Sequence, residues 1–293
     1  MSQYLRSIEL KIGDDQGQGL DFSGLRIQFA ISKKDSTSPN SALITVYNVT
    51  QSTIAQIQKE FTRVTLAAGY GDTCALIFNG TITQSVYSTQ GGVDGVLQIA
   101  AGDGDVAHNF AVVNKTLAAG ATQTDVFQSA LSEYDKKGVG KGFIDGQVSG
   151  ALPRGKVMYG MAREYLTSSA KNSKMKFSVQ DGKAQLLKDN GALPDTAYVL
   201  NSQTGLVGSP SQTTDGIQGC CLLNPQLRIG SVVQINQKDV TQQISDSGES
   251  TALAADGFYR LISVEFNGDT HGGEWYCDFV GVAMDNTQSK TVD

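Results

Sequence analysis

The sequence predicts a mainly β protein with an α+β insertion, and three observations carry that prediction. Gly occurs 33 times against 5 Pro, so the turns rest on glycine. Charged residues make up 18% of the chain, below the roughly 25% of an average soluble domain, and Ser, Thr, Gln and Asn fill the gap. Apolar residues, 40% of the total, come in short alternating runs, the period of a half-buried strand. At 293 residues the chain suits two or three compact units better than one core.

The first hundred residues read as strands. Ile8, Leu10 and Ile12 share a face opposite Ser7, Glu9 and Lys11. Leu25, Ile27, Phe29 and Ile31 alternate with Arg26, Gln28, Ala30 and Ser32, and SALITVYNV continues the pattern after a loop carrying Pro39 and Asn40. A short helix follows, with Ile54, Ile57 and Phe61 on one face behind Ser and Thr suited to capping. Strands are then expected over Arg63 to Ala68, Ala75 to Ile82 and Gly95 to Ala101, separated by YGD, NG and QGG turns. Strands at this spacing suggest a small barrel or sandwich.

The character changes after Gly102. Thr122, with Asp125 three positions on, caps an amphipathic helix whose stripe is Phe127, Ala130, Leu131 and Tyr134, and Gly138 follows where it should stop. A second helix is expected to start near Pro153, with Met158, Met161, Ala162, Tyr165 and Leu166 on one side, and to end near Asn172. Asp181-Gly182 then supplies the turn of a β-hairpin. Strands return over Ala197 to Asn201, Ile217 to Leu223, Ser231 to Asn236, Gly257 to Phe266 and Glu274 to Ala283. The expected division is a barrel-like β-domain over 1–102, an α+β middle domain over 103–195, a second barrel-like β-domain over 196–284 and a disordered tail over 285–293. The polar stretch 238–256 is expected to be an exposed, mobile loop.

Several function classes are disfavoured. No apolar run approaches a membrane span, and the start MSQYLRSIELKIG lacks the apolar core of a secretory leader, so folding in a cytoplasm is expected. The cysteines Cys74, Cys220, Cys221 and Cys277 lack CxxC spacing and read as reduced. A net charge of −6 argues against a nucleic-acid grip. His271, near Asp269 and Glu274, reads as a hairpin tip because Gly272 and Gly273 mark a turn. His108, alone after GDGD, reads as a surface or boundary residue, and the GDGD run itself reads as a turn, since it lacks the later ligands and the Glu of a calcium loop. GVGKG at 138–142 follows a helix instead of opening one, so it is no phosphate loop. No catalytic, cofactor-binding or metal-binding residue is therefore assigned.

The strand blocks themselves carry a resemblance. LRIQFAISKKDSTSPNSALITVYNVT, followed by LAAGYGDTCALIFNGTI, resembles the opening of baseplate hub proteins from contractile bacteriophage tails. Asn40, Ala42, Ile44, Val46, Tyr47 and Asn48 carry the first motif; Ala68, Gly69, Tyr70, Ile77, Phe78, Gly80 and Ile82 carry the second. TGLVGSPSQTTDGIQGCCLLNPQLRIGSVVQI looks like the family's second β-domain, through Gly208, Pro210, Gly216, Leu223, Asn224, Pro225 and Gly230. The ending FYRLISVEFNGDTHGGEWYCDFVGV is similar through Gly268, Asp269, Thr270, Gly273 and Trp275. These matched positions are turn glycines and packed strand residues, and none is catalytic.

What the resemblance implies is mechanical: a virion structural protein with no enzymatic activity and no cofactor. Similar hub proteins form homotrimers in which each chain gives two barrel-like domains to a ring, matching a threefold central spike to a sixfold tail tube. The implied partners are a second and third copy of the chain, the spike protein and the tail tube protein or its adaptor. Tape-measure and wedge proteins could also bind, and DNA would pass only in transit during ejection. No stable membrane binding is implied. The implied location is the virion tail baseplate, after assembly in the host cytoplasm. Three alternatives stand beside it: a spike adaptor of a related contractile injection system, a peptidoglycan-cleaving tail enzyme and a carbohydrate-binding β-domain. The absence of a recognisable acid pair disfavours the enzyme, and the single Trp disfavours the carbohydrate binder.

Overall fold

A computed structural model describes residues 5–14, 17–90, 94–146, 148, 150–213, 216–236, 240 and 257–284. The chain divides into two compact units, one formed by 1–34, 41–101 and 192–293, the other by 35–40 and 102–191. The protein is mainly β.

In the first unit the alternating runs become β1 (Arg6–Gly13), β2 (Gly19–Asp21), β3 (Ile27–Lys34) and β4 (Asn40–Tyr47). Helix α1 (Gln51–Glu60) follows, capped by the Thr50 side chain accepting from the Thr53 N–H. Then come β5 (Arg63–Tyr70), β6 (Ala75–Gln90) and β7 (Asp94–Asp103). Ile27, Phe29 and Ile31 are buried while Gln28, Ala30 and Ser32 face outward, as their alternation requires.

The second unit starts with a short helix α2 (Asp105–Phe110), where a turn was expected at GDGD, so His108 lies on a helix. It continues with β8 (Val112–Leu117), α3 (Gln123–Asp135), β9 (Gly140–Ile144), β10 (Lys156–Met161), α4 (Ala162–Asn172), β11 (Met175–Gln180) and β12 (Lys183–Lys188). The helix expected from Pro153 begins only at Ala162; residues 156–161 are strand β10, antiparallel to β8. The β-branched and aromatic Val157 and Tyr159, and Gly160 at φ +150°, favour extended backbone there. Met158 and Leu166 are fully buried, so the stripe read as one helical face is split between a strand and a helix. Thr122 and Asp125 form the expected reciprocal cap of α3. Asp181 and Gly182, at φ +54° and +77°, make the turn between β11 and β12. The buried Asp103 carboxylate accepts from their two backbone N–H groups, at 2.6 and 2.8 Å. Phe127, Tyr134 and Phe177 meet edge to face in this unit's core.

The chain returns to the first unit with β13 (Tyr198–Leu200), β14 (Leu206–Thr213), β15 (Gly216–Leu222), β16 (Val232–Ile235), β17 (Phe258–Asp269) and β18 (Trp275–Ala283). One sheet runs β14-β15-β18-β17-β3-β4-β7-β6-β5-β1-β2, with β16 also pairing β17 and β13 pairing β16. Strand β17 is the junction: Ser263–Asp269 pairs antiparallel with β3, while Phe258–Arg260 meets β16. Strands from both ends of the chain therefore share one sheet and one apolar core, which includes Leu10, Ile44, Leu66, Phe78, Phe266 and Phe279. Among the described residues no closed barrel is formed. The 238–256 loop, apart from Val240, and the 285–293 tail lie outside the described residues.

Candidate functional site

The hairpin between β17 and β18 gathers several of the motif residues at one place. Asp269 ends β17 with its side chain almost entirely buried, and Arg26, just before β3, reaches it through Nη2–Oδ2 at 2.8 Å and Nε–Oδ1 at 3.3 Å. Gln28 donates to the same carboxylate at 2.7 Å, and the His271 backbone N–H donates at 2.9 Å. The Arg26 guanidinium, helped by Gln28 and His271, holds the Asp269 carboxyl well below the usual carboxylate range despite the opposing effect of burial. Tyr47, at the end of β4, donates its hydroxyl to Gln28 at 2.7 Å and lies under the Arg26 guanidinium, 4.7 Å from ring centroid to Cζ.

Arg6, at the start of β1, closes the other side of the turn. Its guanidinium donates to the carbonyls of Asp269 (2.8 Å), Gly272 and Gly273 (3.0 Å), and it stacks over the Trp275 indole at 5.4 Å. Trp275 is buried and packs edge to face against Phe29, 5.4 Å apart. Gly268 is required beneath this pair, because a Cβ there would overlap the Phe29 ring and stand 2.9 Å from Trp275. Thr270 stitches the turn to β3: its N–H donates to the Ile27 carbonyl and its hydroxyl accepts from the Ile27 N–H, each at 3.0 Å. Tyr70, at the end of β5, sits opposite Arg6 in the β1–β5 register, and burial pushes its phenol pKa up.

The structure thus brings together Tyr47, Tyr70, Gly268, Asp269, Thr270, Gly273 and Trp275. The other motif residues serve separate local needs. Asn48 adopts φ +61° and donates its N–H to Gly95. Gly69 lets the Thr73 carbonyl approach, to 2.6 Å of where a Cβ would stand. Gly80 is buried opposite Val64 in the β5–β6 ladder. Gly230, at φ +91°, links the Leu193 N–H and the Leu261 carbonyl. Asn40 belongs to the second unit, where its buried amide donates to the Val179 carbonyl and to Gln180, each at 2.9 Å. Gly208 and Pro210 lie on β14, at φ +69° and in a register shift between Val207 and Ser211.

Arg6, Arg26 and Gln28 are the members that motif reading missed. Their signal in the sequence is weak, since each looks like one more polar residue on a strand's outer face. The chemistry of the cluster is that of a clamp. Its only carboxylate is committed to Arg26, and the His271 Nδ1 is 2.9 Å from the Thr270 hydroxyl. Among the described residues no group of three His, Cys, Asp or Glu side chains is placed to hold a metal. Burial pushes the Cys220 thiol up to about 12 and raises that of Cys277, so both stay protonated at neutral pH.

Comparison of the sequence with protein-family models and with curated proteins finds no match. Solved structures do match. The prophage MuSo2 43 kDa tail protein from Shewanella oneidensis is 11% identical with a TM-score of 0.61, over 95% of this chain and 97% of that one. The E. coli c3393 protein, a component of the type VI secretion system with structural similarity to the T4 tail proteins gp27 and gp5, is 9% identical with a TM-score of 0.57, over 94% of this chain and 77% of that one. A chain of the Francisella PdpA-VgrG complex in its half-lidded form is 7% identical with a TM-score of 0.57, over 97% of this chain and 60% of that one. The chain has the fold of phage tail proteins and of type VI secretion components, as its resemblance to baseplate hub proteins implies.

Proposed function

We propose that the protein is a structural subunit of a phage tail baseplate, a homotrimeric hub ring joining a sixfold tail tube to a threefold central spike. The observation that carries this reading is the match to a phage tail protein over nearly the full length of both chains. In this reading, barrel-like assemblies arise when strands of the long sheet complete one another around the ring, with the α+β segment 103–195 as the middle domain. Three chains then offer six similar β-units, and DNA passes through the lumen during ejection. An acidic chain, at −6, suits a conduit that must not retain a polyanion.

The partners proposed are further copies, the spike, the tube or its adaptor, and tape-measure and wedge contacts, with the virion tail as location. The secretion-system likeness favours one second reading, a spike adaptor of a contractile injection system. Native mass spectrometry of the purified chain tests the ring. The expected species is a trimer of the 31.1 kDa chain, about 93 kDa, with a central hole in negative-stain images. A monomer that also fails to trimerise with its spike protein refutes it.

A further inference from the structure

The second unit holds a cavity of about 510 Å³ between α2, α4 and the segment that joins β3 to β4. That is the size of a small-ligand site. Its polar groups come from all three segments: Thr37 from the joining segment, His108 from α2, and Arg163, Glu164, Thr167 and Lys171 from α4. Arg163, Thr167 and Lys171 are spaced four apart, so they form one row along the helix.

The donors at this cavity are not spent inside the protein. One arm of the Arg163 guanidinium is held by the His108 carbonyl, Nη1 to O at 2.8 Å. Among the described residues its remaining N–H groups have no partner, and neither do the Thr37 and Thr167 hydroxyls or the Lys171 ammonium. Arg6 and Arg26, by contrast, are committed to the β17–β18 turn. The cations at the cavity beside β1, β2 and β5 are committed too, Lys11 to Glu9 and Arg63 to Asn79, each at 3.4 Å. An Arg fixed by one arm presents the rest of its fork at little further entropy cost.

The His108 ring donates to the Thr37 carbonyl, which leaves its second nitrogen uncommitted. Burial and the Arg163 charge hold its pKa below the ordinary imidazole value, against the opposing pull of Asp105 and the Thr37 carbonyl. Donors thus approach the cavity from α4 on one side and from α2 and Thr37 on the other. A planar carboxylate offers two oxygens along one edge, whereas a phosphate offers three acceptor oxygens in different directions and accepts the Arg fork bidentately. Lys171 lies two helical turns from Arg163, about 12 Å along the axis, so it adds charge and not contact to a group seated on Arg163. Glu164, which lines the same cavity, sets its charge against a run of phosphates.

We infer that this cavity binds a single phosphate group, seated on Arg163 with His108, Thr37 and Thr167 completing its hydrogen bonds. The inference is independent of the ring reading, since all of these residues belong to one unit of one chain.

The test is a titration of the full chain carrying isotope-labelled histidine, followed by NMR near the ordinary imidazole pKa of about 6.5. The chain has 2 histidines, so His271, in the clamp, is the internal reference. Inorganic phosphate replacing chloride at constant ionic strength should move the His108 signal saturably towards the imidazolium position. A bound anion favours the charged ring, so the His108 pKa rises while that of His271 does not. R163Q should weaken binding at least about tenfold, and R163K, which keeps the charge and loses the fork, should recover part of it. The wild-type titration stands even if neither variant folds. Glycerol phosphate binding as tightly as inorganic phosphate supports a phosphate carried on a larger molecule; inorganic phosphate binding alone supports the free anion. A His108 signal that does not move, that moves together with His271, or that responds equally to acetate overturns the inference. So does a response to a single-stranded oligonucleotide in place of both phosphates.

Discussion

Replacing Asp269 by Asn probes the clamp at the β17–β18 turn without changing its volume. The carboxylate accepts four hydrogen bonds, two from Arg26, one from Gln28 and one from the His271 backbone. An amide accepts through one oxygen only, so whichever way the substituted side chain turns, its NH2 faces a donor. Hydrogen bonds to a charged group contribute about 1.5–3 kcal/mol each. Arg26 keeps 41% of its side chain in solvent, which discounts the ionic share, and Gln28 can re-pair with water. The expected loss is about 2–3 kcal/mol, read as a fall of several degrees in the thermal midpoint of the first unit.

The pH dependence gives this prediction a second readout. In the unfolded chain Asp269 takes up its proton near its ordinary value of 3.8, while the folded carboxyl is depressed below that. The unfolded state therefore binds more protons in this window, so the contribution is complete well above pH 3.8 and is lost as pH falls towards the folded value. D269N lacks this component. The stability gap between wild type and variant should be full at neutral pH and should narrow on acidification below the ordinary Asp value. A gap that stays constant with pH, or no gap at neutral pH, would refute the assignment of Asp269 as the charged centre of the clamp.

Three further outcomes follow from particular contacts. G268A forces a methyl into the Phe29–Trp275 edge contact and should destabilise by about 1–3 kcal/mol, with a changed Trp275 fluorescence spectrum as the local reporter. D103A removes both charge-assisted bonds to the Asp181-Gly182 turn, which should cost about 3–5 kcal/mol and accelerate amide exchange in β11 and β12 first. T122A deletes the α3 cap at about 1 kcal/mol, and T122S should restore most of it in the same urea titration.

Much of the fold was legible because it depends on local periodicity. The outward and inward positions of β3, the caps of α1 and α3, and the Asp181-Gly182 hairpin all follow from neighbours within a few residues. The failures were of one kind. Residues 156–161 had apolar spacing compatible with a helix, and only pairing with Val112–Leu117, some forty residues earlier, makes them a strand. Likewise Asp103 looked like part of a polar turn, yet its carboxylate is buried against a hairpin almost eighty residues on.

The clamp shows the same boundary. From the sequence alone, Gly268 to Trp275 could be read as a turn, and His271 as its tip, since turn chemistry is short-range. That Arg6 and Arg26 close on this turn from the other end of the chain was decided only by the β17–β3 and β1–β5 pairings. Periodicity tells a residue which face it occupies; it carries no information on which distant strand supplies the neighbour. Local dihedral preference and apolar alternation are written within a few residues. The choice of partner is settled by burying those faces together, and that is a property of the folded chain as a whole.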